Sequence, residues 1–297
     1  MRGGRKIHTI LAMKIALIGA DGQLGTDLLR TLEGEEIFPL YYPGFDITKP
    51  EEARKVLTEI RPDVVINTAA FHRVDECEDR VEEAFHVNAF AVRDLALACR
   101  DMDATLVHFS TDYVFDGRTT EPYVEEDPPF PLSVYGGSKL AGEYFVRAIS
   151  EKYFLIRTCG LYGLAGCREK GRNFVEAMLS LEQSGKPLRV VSDQWVTPTS
   201  AEELAVRIAE LVGSDQFGLY HMTNEGRCTW YEFASAIFSY LGKKVELVPV
   251  DSKSFGAKAR RPGFSVLENK KAKAIGLAGF SPWQEALKRY LRKKGLV

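Results

Sequence analysis

Tyr135 and Lys139 stand four residues apart in Tyr135-Gly-Gly-Ser-Lys139, on one face of a helix predicted over Val134–Ser150. A phenol titrates near pH ~10, and a neighbouring ammonium lowers that value toward the range where it can act as an acid or base. The spacing alone is weak evidence. Among the 12 tyrosines, Tyr240/Lys244 and Tyr290/Lys294 repeat it, and both read as surface pairs. Tyr135 is distinguished by its company. Upstream, a predicted buried strand over Thr105–Ser110 runs into Ser110-Thr111-Asp112. Strand C-termini of a parallel α/β sheet line the ligand crevice, which places the Thr111 hydroxyl to hydrogen-bond a carbonyl beside Tyr135.

A second constellation is Gly19-Ala-Asp-Gly22-Gln-Leu-Gly25, between a predicted strand (Lys14–Gly19) and a predicted helix (Gln23–Leu32). The first glycine permits a tight turn, the second lets backbone approach a pyrophosphate, and the third allows close helix–strand packing. The helix N-terminus offers free N–H groups to phosphate. A similar series, Gly160, Gly163 and Gly166, has no helix starting inside it. The first loop therefore predicts dinucleotide binding, and with Tyr135 and Lys139 it points to NADPH or NADH. The second strand ends Leu40-Tyr41-Tyr42, with neither the ribose-binding acid nor an arginine for a 2′-phosphate. The next acid, Asp46, followed by Ile47, is placed for the adenine side.

The elements that must hold these residues alternate along the chain. Further strands are predicted at Glu36–Tyr42, Asp63–Ala69 and Tyr153–Thr158, with helices at Pro50–Ile60 and Val81–Arg100. Strands apolar on both faces and separated by helices predict an α/β fold, a doubly wound, Rossmann-like parallel sheet. After Thr158 come a glycine-rich loop (160–171), a helix over Asn173–Gln183, and a strand (Leu188–Ser192) and helix (Ala201–Val212) expected to return to the sheet. The expected organisation is an extension over residues 1–12, with the folded protein beginning at Met13. A dinucleotide-binding domain follows over 13–160 and 188–225, with a smaller C-terminal α/β substrate lobe over 161–187 and 226–297.

The chain has 297 residues, 45% hydrophobic and 27% charged, which excludes disordered and low-complexity architectures. A net charge of −2 argues against a nucleic-acid partner. It hides a basic segment from Lys253 to Val297, with 12 Lys/Arg against 2 Asp/Glu, read as a surface with a local anion site. Five cysteines without C-x-x-C spacing fit a reduced, cytoplasmic protein. No apolar run reaches the ~18 residues of a membrane span, so no membrane partner is expected. His108 reads as a packed core histidine, Trp195 and Trp283 as lobe packing, and Cys159 as unreactive.

The glycine loop, Ser-Thr-Asp strand end and Tyr-x-x-x-Lys, in this order, resemble the extended short-chain dehydrogenase/reductases. Asp63–Asp75, Ser110–Gly117, Pro131–Gly142, Asn173-Phe174-Val175, Asp193–Ala201 and the Arg261-Pro262 segment through Asn269 narrow this to the dTDP-4-dehydrorhamnose reductase family. The resemblance implies reduction of the 4-keto group of a nucleotide-linked 6-deoxysugar, with Tyr135 as proton donor, Lys139 on the nicotinamide ribose and Thr111 orienting the carbonyl. Gly22, Gln23 and Leu24 would contact the pyrophosphate, Asp46 and Ile47 the adenosine, and Ala69, Ala70 and Phe71 the nucleotide. Asp112, Tyr113 and Asn173 would contact the sugar, and Asn88 would support the lysine through water. Arg261 in the basic segment is expected to face the substrate diphosphate.

Some positions depart from the family pattern. Gly160 stands where a tryptophan often stacks on the sugar, and Tyr41 replaces the ribose acid. Asp27 and Glu202 match positions where some members hold Mg²⁺, but Gln284 is not acidic, and no metal is expected. The expected state is a monomer or homodimer. Two alternatives stay open: another nucleotide-sugar reductase or epimerase, and a non-catalytic nucleotide-binding subunit like that of methionine adenosyltransferase. The intact Thr111, Tyr135 and Lys139 count against the second.

Overall fold

A computed structural model describes residues 12–166, 172–277 and 279–297. The expected extension, residue 12 apart, lies outside these, as do Cys167 and the end of the 160–171 loop. The elements run β1 (Lys14–Ile18), α1 (Gln23–Thr31), β2 (Glu36–Leu40), α2 (Pro50–Ile60), β3 (Val64–Asn67), α3 (residues 81–101), β4 (Thr105–Thr111), α4 (Val134–Ile149) and β5 (Tyr153–Thr158). Then come α5 (Phe174–Glu182), β6 (Leu188–Val191), α6 (Ala201–Val212), β7 (Gly218–His221), α7 (Trp230–Tyr240), β8 (Leu247–Val250) and α8 (Trp283–Lys293). Shorter turns and two-residue bridges are left unlabelled.

The central sheet is six-stranded, in the order β7-β5-β4-β3-β1-β2, and every pairing is parallel. Alternate residues of its inner strands serve opposite faces. Ile15, Leu17, Val64, Ile66, Val107 and Phe109 pack under α1 and α6. Ala16, Ile18, Val65 and Leu106 pack under α2, α3 and α4. Strand β3 is buried at all four positions, as a sheet covered on both sides requires. The chain reverses its winding between β1 and β3, the topological switch point where ligands bind at strand C-termini.

One expected pairing is corrected. The strand predicted at Leu188–Ser192 does not enter the central sheet. As β6 it pairs in parallel with β8. Its Arg189 is exposed, and β8 has no buried residue, so this pair lacks the two covered faces of a central strand. β7 takes the outer place beside β5, while α6 does return, against α1. α5, α7, α8 and β6 enclose a separate core around Tyr162, Phe233, Trp283 and Tyr290. Tyr290, expected at the surface, is thus 5% exposed. No helix among the described residues is long and apolar enough to cross a membrane.

Candidate active site

The C-terminal ends of β1, β3, β4 and β5 open into one cleft of about 830 Å³. Gly19, Gly22, Gln23, Leu24, Asp46 and Ile47 line one end of it. Ala69, Ala70 and Phe71 form its floor, and Thr111, Asp112, Tyr113, Tyr135, Lys139 and Asn173 its far end. Residues more than 100 positions apart in sequence thus share one space because the parallel sheet collects strand ends.

At the glycine loop, Gly19 has φ +74°, a conformation L side chains rarely adopt. Gly22 is the N-cap of α1 and supplies no side-chain cap bond, leaving first-turn N–H groups facing the cleft for phosphate. Gly25 does not line the cleft. A Cβ there would sit 2.3 Å from Gly19 O and 2.8 Å from Ala20 Cα, so this glycine keeps α1 close against the turn behind the loop. Gln23 lines the cleft, and its Oε1 accepts from Gly163 N–H at 3.0 Å. Asp46 Oδ1 accepts from both the amide and the hydroxyl of Thr48. Tyr42, rather than Tyr41, lines the cleft at the end of β2. The glycine cradle and open helix terminus fit a dinucleotide pyrophosphate.

At the far end, Thr111 Oγ1 donates to Asp112 Oδ1 at 3.0 Å and accepts from Tyr113 N–H at 3.1 Å. The same hydroxyl faces the Tyr135 phenol and lowers its pKa. The expected lowering of the phenol pKa is reversed in the protein itself: burial pushes it up, and the Thr111 hydroxyl opposes that only in part. Lys139 is pushed down to about 8 by burial, with Glu143 pulling the other way. Asp112 is likewise raised by burial, and its Oδ2 accepts from Cys159 Sγ at 3.0 Å. Burial also raises the Cys159 thiol, which keeps it from forming a thiolate.

Helix α4 carries Tyr135 and Lys139, and its anchoring was largely missed. Ser133 caps it, accepting from Gly136 N–H. One turn beyond Lys139, Glu143 takes Arg157 Nε and Nη2 at 2.9 and 2.7 Å and the Ser110 hydroxyl. Arg157 Nη1 lies 3.4 Å from His221 Nε2. This fully buried network clamps α4 to β4, β5 and β7. The sequence signal was an Arg inside an apolar strand, which folds only beside an acid.

Asn88 sits in a π-helical turn of α3, His86–Phe90, and does not line the cleft. Its Oδ1 accepts from Phe71 N–H at 2.9 Å, and its Nδ2 donates to Phe71 O at 2.9 Å and to Ser138 Oγ at 3.0 Å. It ties the end of β3 to α4. The residue that reaches Lys139 is His108, Nε2 to Nζ 3.5 Å, so His108 is buried as expected yet is more than core filling.

A second cavity of about 630 Å³ adjoins the cleft, and Tyr113, Phe174 and Trp230 line both. The Phe174 and Trp230 rings lie 4.6 Å apart. Trp230 reaches to 3.3 Å from where a Cβ of Gly160 would be, filling the side-chain space that glycine leaves. No local pattern marked Trp230, since its neighbours come from other elements. Arg261 also lines this second cavity, but its guanidinium is bound by Asp75 at 2.8 and 3.1 Å, which holds the Asp75 carboxyl below its usual range. Arg261 thus faces this cavity as an ion-paired cation. Asn173 caps α5 in a capping box with Glu176, and its Nδ2 donates to Gly163 O and Tyr290 Oη. No cluster able to hold a metal is found among the described residues.

A family model described as the RmlD substrate binding domain matches residues 13–295. The chain belongs to the dTDP-4-dehydrorhamnose reductase family. The chain is 40% identical over 285 residues to the Bacillus subtilis spore coat polysaccharide biosynthesis protein SpsK, covering 95% of this chain and 98% of that one. It is 36% identical to the dTDP-4-dehydrorhamnose reductase of Escherichia coli, covering 95% and 98%. The crystal structure of a Bacillus anthracis dTDP-4-dehydrorhamnose reductase in complex with NADP superposes with a TM-score of 0.91 at 38% identity, covering 95% and 100%. The family resemblance read from the sequence is thus established, as is the Rossmann-like sheet.

Proposed function

We propose that this protein reduces the C4 keto group of dTDP-4-dehydro-L-rhamnose to the alcohol of dTDP-L-rhamnose, using NADPH. The observation that carries this reading is the single cleft joining the glycine cradle to the Thr111–Tyr135–Lys139 cluster at the switch point. The relatives' activity and the NADP of the Bacillus anthracis enzyme support it.

The residues divide the work as follows. The nicotinamide, when bound, supplies the hydride. Thr111 orients the C4 carbonyl by hydrogen bonding to its oxygen. As C4 takes the hydride, the C=O electron pair moves onto oxygen, and that oxygen takes the proton of Tyr135 Oη. A phenol with a raised pKa suits this direction, because it keeps its proton until the alkoxide develops. Lys139 lies one helical turn away, where its ammonium stabilises the phenolate left behind and can return a proton to it. Gly22 and the first turn of α1 hold the pyrophosphate, and Ala69 to Phe71 and Asp46 border the adenosine side. Phe174 and Trp230 wall the sugar, and the second cavity receives the nucleotide.

Incubation with dTDP-4-dehydro-L-rhamnose and NADPH should consume reduced nicotinamide and yield dTDP-L-rhamnose. Tyr135→Phe should lower kcat by about 10²-fold or more while NADPH binding holds. An inactive wild type that still binds NADPH overturns the substrate reading. A fully active Tyr135→Phe overturns the proton donor.

A further inference from the structure

Beneath the cleft, three polar side chains form a line, of which only Lys139 enters the reaction proposed above. Asn67 ends β3, His108 lies beside it in β4, and Lys139 descends from α4. His108 is 0% exposed and Asn67 1%. Asn67 Nδ2 lies 3.3 Å from His108 Nδ1, and His108 Nε2 lies 3.5 Å from Lys139 Nζ. Nearby on α4, Gly142 lets the helix pack against Asn88 O, where a Cβ would sit 2.3 Å away.

The chemistry of the donors fixes the sense of this line. Asn67 Oδ1 accepts from Ala69 N–H at 3.1 Å, so the amide nitrogen is the atom turned to His108. An amide nitrogen only donates, so Nδ1 must accept. Burial keeps the ring neutral, and a neutral imidazole with an accepting Nδ1 carries its proton on Nε2. That N–H faces Nζ. An ammonium has no lone pair with which to accept it, whereas a neutral amine has one.

We propose that Asn67 and His108 are positioning residues that act as a tautomer lock: Ala69 fixes the Asn67 amide, the amide fixes the imidazole, and the imidazole turns an N–H toward Lys139 that favours the neutral amine. The consequence is a lysine that releases its proton more readily than burial alone would allow. The other groups around Lys139 do not reproduce this. Glu143, one turn along α4, favours the ammonium but is engaged by Arg157 of β5 and Ser110 of β4. Tyr135 on the preceding turn faces Thr111 of β4, and Asn88 of α3 is engaged by Phe71 and Ser138.

The inference rests on Lys139 serving the reduction proposed above, and its test separates the two. Ring ¹⁵N and ¹³C shifts of His108 in the wild-type protein report which nitrogen holds the proton, with no substrate needed. The expected result is Nε2–H. A proton on Nδ1 overturns the lock whether or not the protein reduces a sugar. In Asn67→Asp a carboxylate oxygen would accept from the ring, moving its proton to Nδ1 and giving Lys139 an acceptor. In His108→Gln, which adds no charge, the amide oxygen turns to Nζ. Both variants should raise the pKa of the alkaline limb of kcat/KM by about one unit, with NADPH affinity kept. An alkaline limb that stays in place in both variants overturns the lock. Tyr135→Phe retaining full activity, with Nε2–H still observed, would instead remove only the catalytic reading.

Discussion

At the scale of single residues, burial decides which groups keep a proton. Asp27 illustrates it away from the chemistry. It is 4% exposed on α1, and its Oδ2 has no hydrogen-bond partner. Burial raises its pKa from 3.8 to about 6, Arg30 opposing and Glu202 adding to the shift. The native state therefore binds this proton more tightly than the unfolded chain does, so the contribution of Asp27 to stability falls as pH rises from 3.8 to about 6 and stays low above that. Asp27→Asn has no charge to bury. Its thermal midpoint relative to wild type should rise across that window and level off above it, by about 2 °C for each 1 kcal/mol. A midpoint difference independent of pH contradicts the assignment. The same logic explains what the sequence could not disclose. Tyr135 and Lys139 were legible as a pair by spacing, but the sign of the phenol shift depends on burial, which spacing does not carry. His108 reads as core from its apolar neighbours in β4, and its contact with Lys139 is made only when α4 packs on that strand.

At the scale of elements, β1, the glycine loop and α1 form one unit. Adding a methyl group at position 25 would put carbon 2.3 Å from Gly19 O, forcing α1 away from the turn. Gly25→Ala should therefore weaken NADPH binding at least about tenfold, the equivalent of the 1–3 kcal/mol that overpacking costs, as measured by nicotinamide fluorescence. Unchanged affinity would mean the loop tolerates the shift. This unit was fully readable, since strand, glycines and helix are contiguous. β6 was not. Leu188, Val190 and Val191 look like any buried strand, and nothing local says that the partner is Leu247–Val250 rather than the central sheet. Pairing over that distance is set by which edge the smaller lobe leaves open.

At the scale of the whole molecule, the C-terminal residues are tied to the rest by polar contacts far apart in sequence. Arg261 reaches Asp75 across 186 positions, and Ala259 N–H donates to the same carboxylate at 2.9 Å. Arg261→Ala should raise KM for the nucleotide sugar by about tenfold, in line with the 1.5–3 kcal/mol of a charge-assisted bond, and leave KM for NADPH nearly unchanged. Equal effects on both would place the residue outside the substrate side. Elsewhere in the basic segment that suggested Arg261, Lys258 pairs with Asp79, Lys270 with Glu126 and Lys293 with Glu202 at the surface. The clamp formed by Glu143, Arg157, Ser110 and His221 bears on how this enzyme could be redesigned. Losing either member of the ion pair leaves the other charged and buried, so the interior behind α4 can change only by coordinated replacement. With the sugar placed as proposed, variation in preference is thereby confined to the walls built by Phe174, Trp230 and the segments around them, where one substitution can be accepted at a time.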